Sequence, residues 1–338
     1  MVTRSGELRA GLSRRLESAD SRIGPRGCGR AGALPVCLPA LAGFWFAFPG
    51  AAAPTGGLVA LQGEGYVRGM NLPNLIPFRR PRVPVVRMEG VIAAGGRMAA
   101  GGRISDAAFA PVLERAFCRG RPVAVALAIN SPGGSPAQSA LLAARIRRLA
   151  DRTKVPVFAF VEDVAASGGY WLACAADEIF ADATSIVGSI GVIHASFGLH
   201  DFITRHGIER RVYTAGEKKG FMDPFLPVRR EDEVRLRRIE SELHARFIAH
   251  VKSRRGSRLA QEEDIFSGDF WLGEAALGKG LIDGIGHLEP VMRERFGEKL
   301  RFVPFGPRRS LLQRLRPGIA EETASVFEAR QWWARYGL

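Results

Sequence analysis

The sequence predicts an α/β fold of βαβ-type units, and three observations carry that prediction. Short apolar runs rich in Val, Ile and Phe recur at residues 83–92, 123–129 and 155–161, as expected of buried strands. Stretches without strand alternation, at 107–117, 136–150 and 170–176, follow them and read as helices. The last two strand–helix junctions are glycine turns, Pro132-Gly-Gly134 and Ser167-Gly-Gly169. Strands alternating with helices at this spacing indicate crossover connections. The pattern taken alone equally allows a doubly wound sheet.

The elements follow in order. Residues 1–80 do not read as core and form a disordered or targeting segment. Met1 to Arg30 is rich in Arg, Ser and Gly without apolar periodicity. Residues 34–53 then carry no charge. An Arg-bearing leader, an apolar run and a small-residue end fit a signal peptide or anchor, long enough at about 20 residues to span a bilayer. This reading associates the chain with an inner membrane. Three prolines interrupt the run, and a start at Met70 would instead leave a cytoplasmic chain.

The main domain is read as 81–297, opening on a strand whose Pro84 suits its start or a sheet edge. Ser105 and Asp106 cap the first helix. The helix at 136–150 carries Arg145, Arg147 and Arg148 on its exposed side. Residues 178–182 form a short strand, 190–196 another, 198–206 a short helix, and 210–213 a further strand. Residues 231–254 are an amphipathic helix whose apolar side includes Val234, Ile239, Phe247 and Val251, with Glu and Arg elsewhere. A small helix and a Gly-rich turn then lead into Leu281 and Ile282. A basic tail, 298–338, holds an amphipathic helix at 319–336 with Trp332 and Trp333, read as packing on the core or a neighbouring subunit.

Candidate chemistry gathers at the glycine turns. Ser167 falls where a strand becomes a helix, so unpaired N–H groups at the helix start favour negative charge near its hydroxyl. By itself such a serine is most simply an N-cap. Gly133 and Gly134 offer backbone N–H groups that no side chain blocks, and with Gly168 they could form an oxyanion hole for acyl transfer. A serine nucleophile needs a base. Of 48 basic residues only six are lysine, yet Lys218 and Lys219 stand side by side in a Gly-bounded turn. A desolvated lysine can serve as a neutral base; arginine cannot.

Five segments in order, Asn130-Ser-Pro-Gly-Gly134, Ala165-Ala-Ser-Gly-Gly-Tyr170, Gly188-Ser-Ile-Gly-Val192, Ala215-Gly-Glu-Lys-Lys219 and the stretch 268–286, resemble the signal peptide peptidase A family, which includes SohB-like proteases. The resemblance covers roughly residues 82–296. It implies a fold shared with Clp protease and crotonase, built from repeated β-β-α units, and a Ser/Lys-dyad serine peptidase. Residue by residue, it implies Ser167 as nucleophile, Lys219 as general base and Ser189 as the group that holds the lysine amine. It further implies signal-peptide-like and other membrane-derived peptide substrates, and a homo-oligomer. No metal or other cofactor is needed. An inactive membrane-associated scaffold and a crotonase-type acyl-CoA enzyme are the alternatives on the same fold.

Other readings are weaker. His194, His200 and His206 share no helical face, and a triad using His194 or His206 with Asp201 has no motif behind it. There is no His-x-x-x-His or Cys-x-x-Cys spacing for a metal. Cys28 and Cys37 lie in the N-terminal segment, and Cys118 and Cys174 read as buried thiols. The net charge of +14 favours anionic membrane surfaces. Without a basic motif interleaved with stacking aromatics, nucleic acid is not an expected partner.

Overall fold

A computed structural model of the protein describes residues 80–94, 103–216, 218–261, 263–307 and 333–337. All lie in the second of two compact units, Phe78–Leu338. The anchor reading of residues 34–53, Cys28, Cys37, Trp332 and most of the expected helix at 319–336 fall outside the described residues.

The elements are β1 (Arg82–Glu89), α1 (Asp106–Cys118), β2 (Val125–Ser131), α2 (Pro136–Thr153), β3 (Val157–Ala166), α3 (Gly168–Ala173), β4 (Glu178–Ala181), β5 (Ile186–Gly188), α4 (His200–Arg205), α5 (Arg230–Arg255), β6 (Phe270–Leu272), α6 (Gly273–Gly278), β7 (Gly284–Ile285), α7 (Leu288–Phe296) and β8 (Arg301–Phe305). They build the expected α/β fold. Its sheet runs β6-β5-β3-β2-β1-β8, with β4 and β7 branching from β3, and every pairing is parallel except β5 with β6. Because β1 lies between β2 and β8, Pro84 sits near the start of an interior strand and not at an edge.

Strand alternation sorts the core into two faces. Leu127, Ile129, Ala159 and Val161 point to the larger face with α1 and α2, while Ala126, Phe158 and Phe160 point to the smaller face with Met292 of α7. Ser105 caps α1 as expected, its Oγ accepting the Ala108 N–H at 3.4 Å. β3 is long enough to have two successive neighbours along one edge. β4 pairs with residues 158–161, and β5 with 164–166. Where they change over, the register against β2 shifts. Asn130 bridges the gap: its Nδ2 donates to Asp163 Oδ2 at 2.6 Å and its Oδ1 accepts from Val164 N–H.

Several expectations are corrected. Arg145 and Arg147 are not a free exposed row: Arg145 grips Asp106 through two hydrogen bonds of 2.7 Å, and Arg147 pairs with Asp177 at 2.7 Å. Cys118 is exposed, not buried; Cys174 is buried as expected. Residues 190–196 and 210–213 are not strands. Among the described residues no strand pairs with them. The N-terminal half of α5 is likewise uncovered. Phe247 and Val251 are buried, but Val234 and Ile239 are exposed.

Candidate active site

β3 carries the chain to Ala166 and α3 begins at Gly168, so Ser167 occupies the junction itself. Its backbone has φ 52° and ψ −119°, a conformation that costs a non-glycine residue about 1–3 kcal/mol. The simple N-cap reading fails, because the Ser167 side chain makes no capping hydrogen bond. The hydroxyl is left available on a half-buried residue. The Ser167 N–H donates to Gly188 O at 2.8 Å, which fastens the junction to the end of β5.

The Gly133–Gly134 turn stands against this junction. A Cβ on Gly133 would lie 2.8 Å from Ser167 Cβ and 3.0 Å from Gly168 N, and one on Gly134 would lie 2.0 Å from Ile92 O. With φ of 104° and 137°, both positions also demand glycine for conformational reasons. The two glycines are not equivalent. The Gly133 N–H donates to Ser131 Oγ at 3.2 Å. Among the described residues the Gly134 and Gly168 N–H groups have no hydrogen-bond partner, and a Cβ on Gly168 would sit 3.4 Å from Gly134 N. Two free donors therefore lie close together beside Ser167, and donors so placed are what an oxyanion hole needs.

Ser189 follows β5 directly and also has φ 52°. Its N–H donates to Asp269 O at 2.7 Å. The bond from Ser167 to Gly188 brings the two serine segments together. Among the described residues Lys219 has no hydrogen bond to either serine. It is exposed in a turn, its N–H donating to Gly216 O at 3.2 Å, and its amine has no hydrogen-bond partner among the described residues. The expected burial of this lysine is therefore not found in the single chain. Residues 192–229 make their own contacts instead. Leu199 N–H donates to Pro224 O, Arg210 pairs with Asp223, and the Arg210 guanidinium lies 4.8 Å from the Phe225 ring centroid.

The rival histidines do not form a triad. His194 is exposed, His200 Nδ1 lies 3.4 Å from Phe225 O, and the His206 ring packs on Phe202. Among the described residues no group of three or more His, Cys, Asp or Glu side chains could hold a metal ion.

Sequence reasoning missed what supports α3 from below. Tyr170 is fully buried, and its OH donates to Leu281 O at 2.8 Å. Arg255, only 3% exposed, donates to both oxygens of Asp283, whose Oδ2 also accepts the Ile179 N–H. Arg254 donates to the carbonyls of Cys174 and Ala176 just beyond α3. No local pattern flags these, because each partner is more than twenty residues away in the chain.

Residues 150–298 match the model of peptidase family S49. Protease 4 of Haemophilus influenzae is 31% identical over 227 residues, covering 66% of this chain and 35% of that protein. The chloroplastic serine protease SPPA of Arabidopsis thaliana is 29% identical over 239 residues, covering 68% and 35%. A protein of Brucella abortus called Na(+)/H(+) antiporter NhaA is 46% identical over 287 residues, covering 79% of this chain and 39% of that protein. The chain thus spans less than two-fifths of the length of each of these relatives. A solved structure, the 1510-N membrane protease specific for a stomatin homolog from Pyrococcus horikoshii, aligns with a TM-score of 0.40 at 14% identity, over 72% of this chain and all of that one. Over residues 150–298 this chain resembles peptidase family S49, and the relatives it matches include proteins called putative signal peptide peptidase SppA and probable protease SohB.

Proposed function

We propose that the protein is a serine endopeptidase in which Ser167 attacks a peptide carbonyl. The observation that carries this reading is the uncapped Ser167 hydroxyl, held at positive φ beside the free N–H groups of Gly134 and Gly168. A neutral Lys219 amine takes the Ser167 proton as the Oγ–carbon bond forms. The oxyanion is held by Gly168 N–H and Gly134 N–H. The C–N bond then breaks, the leaving amine takes the proton back from Lys219, and an ester remains on Ser167. Water then attacks the ester carbon, giving a proton to Lys219; the carbon–Oγ bond breaks, Lys219 returns the proton to Ser167 Oγ, and the acid leaves. Ser189 orients the amine.

A lysine base must leave water to work as a neutral amine. Lys219 is exposed in the single chain, on an arm that also exposes Ile193, Phe197, Phe202, Ile208, Tyr213 and Val228. Tyr213 is 91% and Phe197 79% exposed, and clustered apolar surface of this kind marks an interaction surface. In this reading a second copy covers the arm and desolvates Lys219, so activity requires a homo-oligomer.

By likeness to family relatives, the substrates are signal-peptide-like or other membrane-derived peptides, met at an inner-membrane surface to which the basic chain is drawn. The antiporter name of the Brucella relative is not carried over. The match spans 39% of that protein, and no helix among the described residues is long and apolar enough to cross a membrane.

The test is a fluorophosphonate probe on purified protein, with the adduct located by mass spectrometry and the oligomeric state measured by sedimentation. Wild type is expected to carry the adduct on Ser167, and Lys219→Ala to lose it, with labelling that quickens as pH rises. Folded, oligomeric wild type that takes no adduct would overturn the reading in favour of a scaffold or a thioester enzyme.

A further inference from the structure

We infer that His244 and His250 of α5 are positioning residues that hold the Ser189 loop and the Ser167 helix in their mutual placement. The inference deepens the peptidase reading and rests on it.

The two side chains reach the two halves of the site. The His244 Nε2–H donates to Ile190 O at 2.9 Å, and Ile190, fully buried, immediately follows Ser189. The His250 Nε2–H donates to Trp171 O at 3.1 Å, one helical turn beyond Ser167. Six residues along an α-helix advance about 9 Å with a net turn of about 120°, so the two imidazoles stand apart on a slanting row of α5, with Phe247 between them. The Trp171 ring stacks on both Phe247 and His250, at 4.8 Å between centroids in each case.

The hydrogen bonds close a circuit. Ser167 N–H donates to Gly188 O, Trp171 N–H donates to Ser167 O at 3.0 Å, and the histidines tie Trp171 and Ile190 back to a single rigid helix. The receiving carbonyl of α3 is open for a definite reason. Ala175 N–H, which would bond Trp171 O in a continuing α-helix, turns to Leu172 O at 3.0 Å instead. His250 fills the vacated place. Its burial, with Arg254 adding to the effect against the Trp171 hydrogen bond, holds the imidazole below its ordinary pKa, which suits a neutral ring with the proton on Nε2.

Support of this kind is what the two serines need. Both sit at φ 52°, and strained backbone persists only where its surroundings over-determine it. Neither histidine touches the reacting atoms. Their loss lets the Ser167 and Ser189 segments relax, and a misplacement of about 1 Å at reacting groups can cost about a hundredfold in rate.

The test compares His244→Leu and His250→Leu with His244→Gln and His250→Gln, whose amide N–H can still reach the carbonyl. The readouts are the fluorophosphonate labelling of Ser167, resolved into maximal rate and half-saturating probe concentration, and thermal unfolding. The leucine variants are expected to label about tenfold or more slowly at saturating probe, with half-saturation unchanged, and the glutamine variants to regain most of the rate. Leucine variants that label like wild type, or glutamine variants as slow as leucine, would overturn the inference. Should the leucine variants not fold, asparagine variants, too short to reach the carbonyls, replace them with the same two outcomes. Folded wild type that never labels sinks the peptidase reading itself, and this inference falls with it.

Discussion

The amide of Ser167 donates to the carbonyl of Gly188 at 2.8 Å, and this one bond joins two serines that both hold φ at 52°. β3 and β5 run parallel and end together here, so the strained serines emerge side by side at the carboxyl end of the sheet. In open α/β sheets ligands bind outside that end of the strands.

Positive φ at Ser167 makes glycine the better residue for folding. Ser167→Gly is expected to match or exceed wild type in stability, by up to about 1 kcal/mol, because it relieves the backbone strain. Ser167→Ala is expected not to share the gain, and both variants lose labelling. Urea denaturation of the three proteins checks this, and equal midpoints for Ala and Gly would count against stored strain.

Gly169 is required by space and not by conformation. A Cβ there would stand 2.5 Å from Ser131 O, a backbone atom in the turn that presents Gly133 and Gly134. Gly169→Ala is expected to destabilise the fold by about 1–3 kcal/mol through overpacking. A melting temperature unchanged from wild type would contradict that packing.

The Arg255–Asp283 pair is the main buried charge contact beneath α3. Burial acts to raise the Asp283 carboxyl, but the Arg255 hydrogen bonds and the Ile179 N–H outweigh it, so the folded value is lowered. A lowered carboxylate stabilises the fold above its unfolded pKa of about 3.9 and loses that contribution as pH falls towards the folded value. Arg255→Met is expected to cost about 3–5 kcal/mol by stranding the carboxylate, at the lower end because Arg258 still contacts Asp283 at 3.0 Å. Denaturation at neutral pH and again below pH ~4 should show the difference shrinking in acid.

Cys174 lies five residues beyond the turn of Ser167 and its glycines, yet it is not a second nucleophile. Burial pushes its thiol up to about 12, which suppresses the reactive thiolate. Iodoacetamide at mildly alkaline pH is expected to leave Cys174 unmodified in folded protein and to alkylate it in urea. Rapid native alkylation would show that the helix opens.

Much of the architecture was legible because it depends on local chemistry. Apolar runs marked β1, β2 and β3, Ser105 marked the start of α1, and glycine pairs marked the two turns that meet at Ser167. The failures have one cause. Residues 190–196 and 210–213 carry strand-like side chains, but a strand exists only where another lends hydrogen bonds, and among the described residues none pairs with them. The apolar stripe of α5 was likewise readable, while its division into a buried half around Phe247 and an exposed half around Val234 was not.

The sequence by itself determined the α/β class, the strand-to-helix placement of Ser167 and the glycine character of the turn facing it, because periodicity, capping and positive φ are properties of neighbouring residues. Only the tertiary structure decided that Gly134, and not Gly133, keeps a free N–H beside Gly168, that Lys219 stands exposed, and that α5 reaches both serine segments through His244 and His250. Those are matters of which distant groups meet. A side chain's hydrogen-bond partner and its share of solvent are set by the packing of the whole domain, and no stretch of chain carries that information alone.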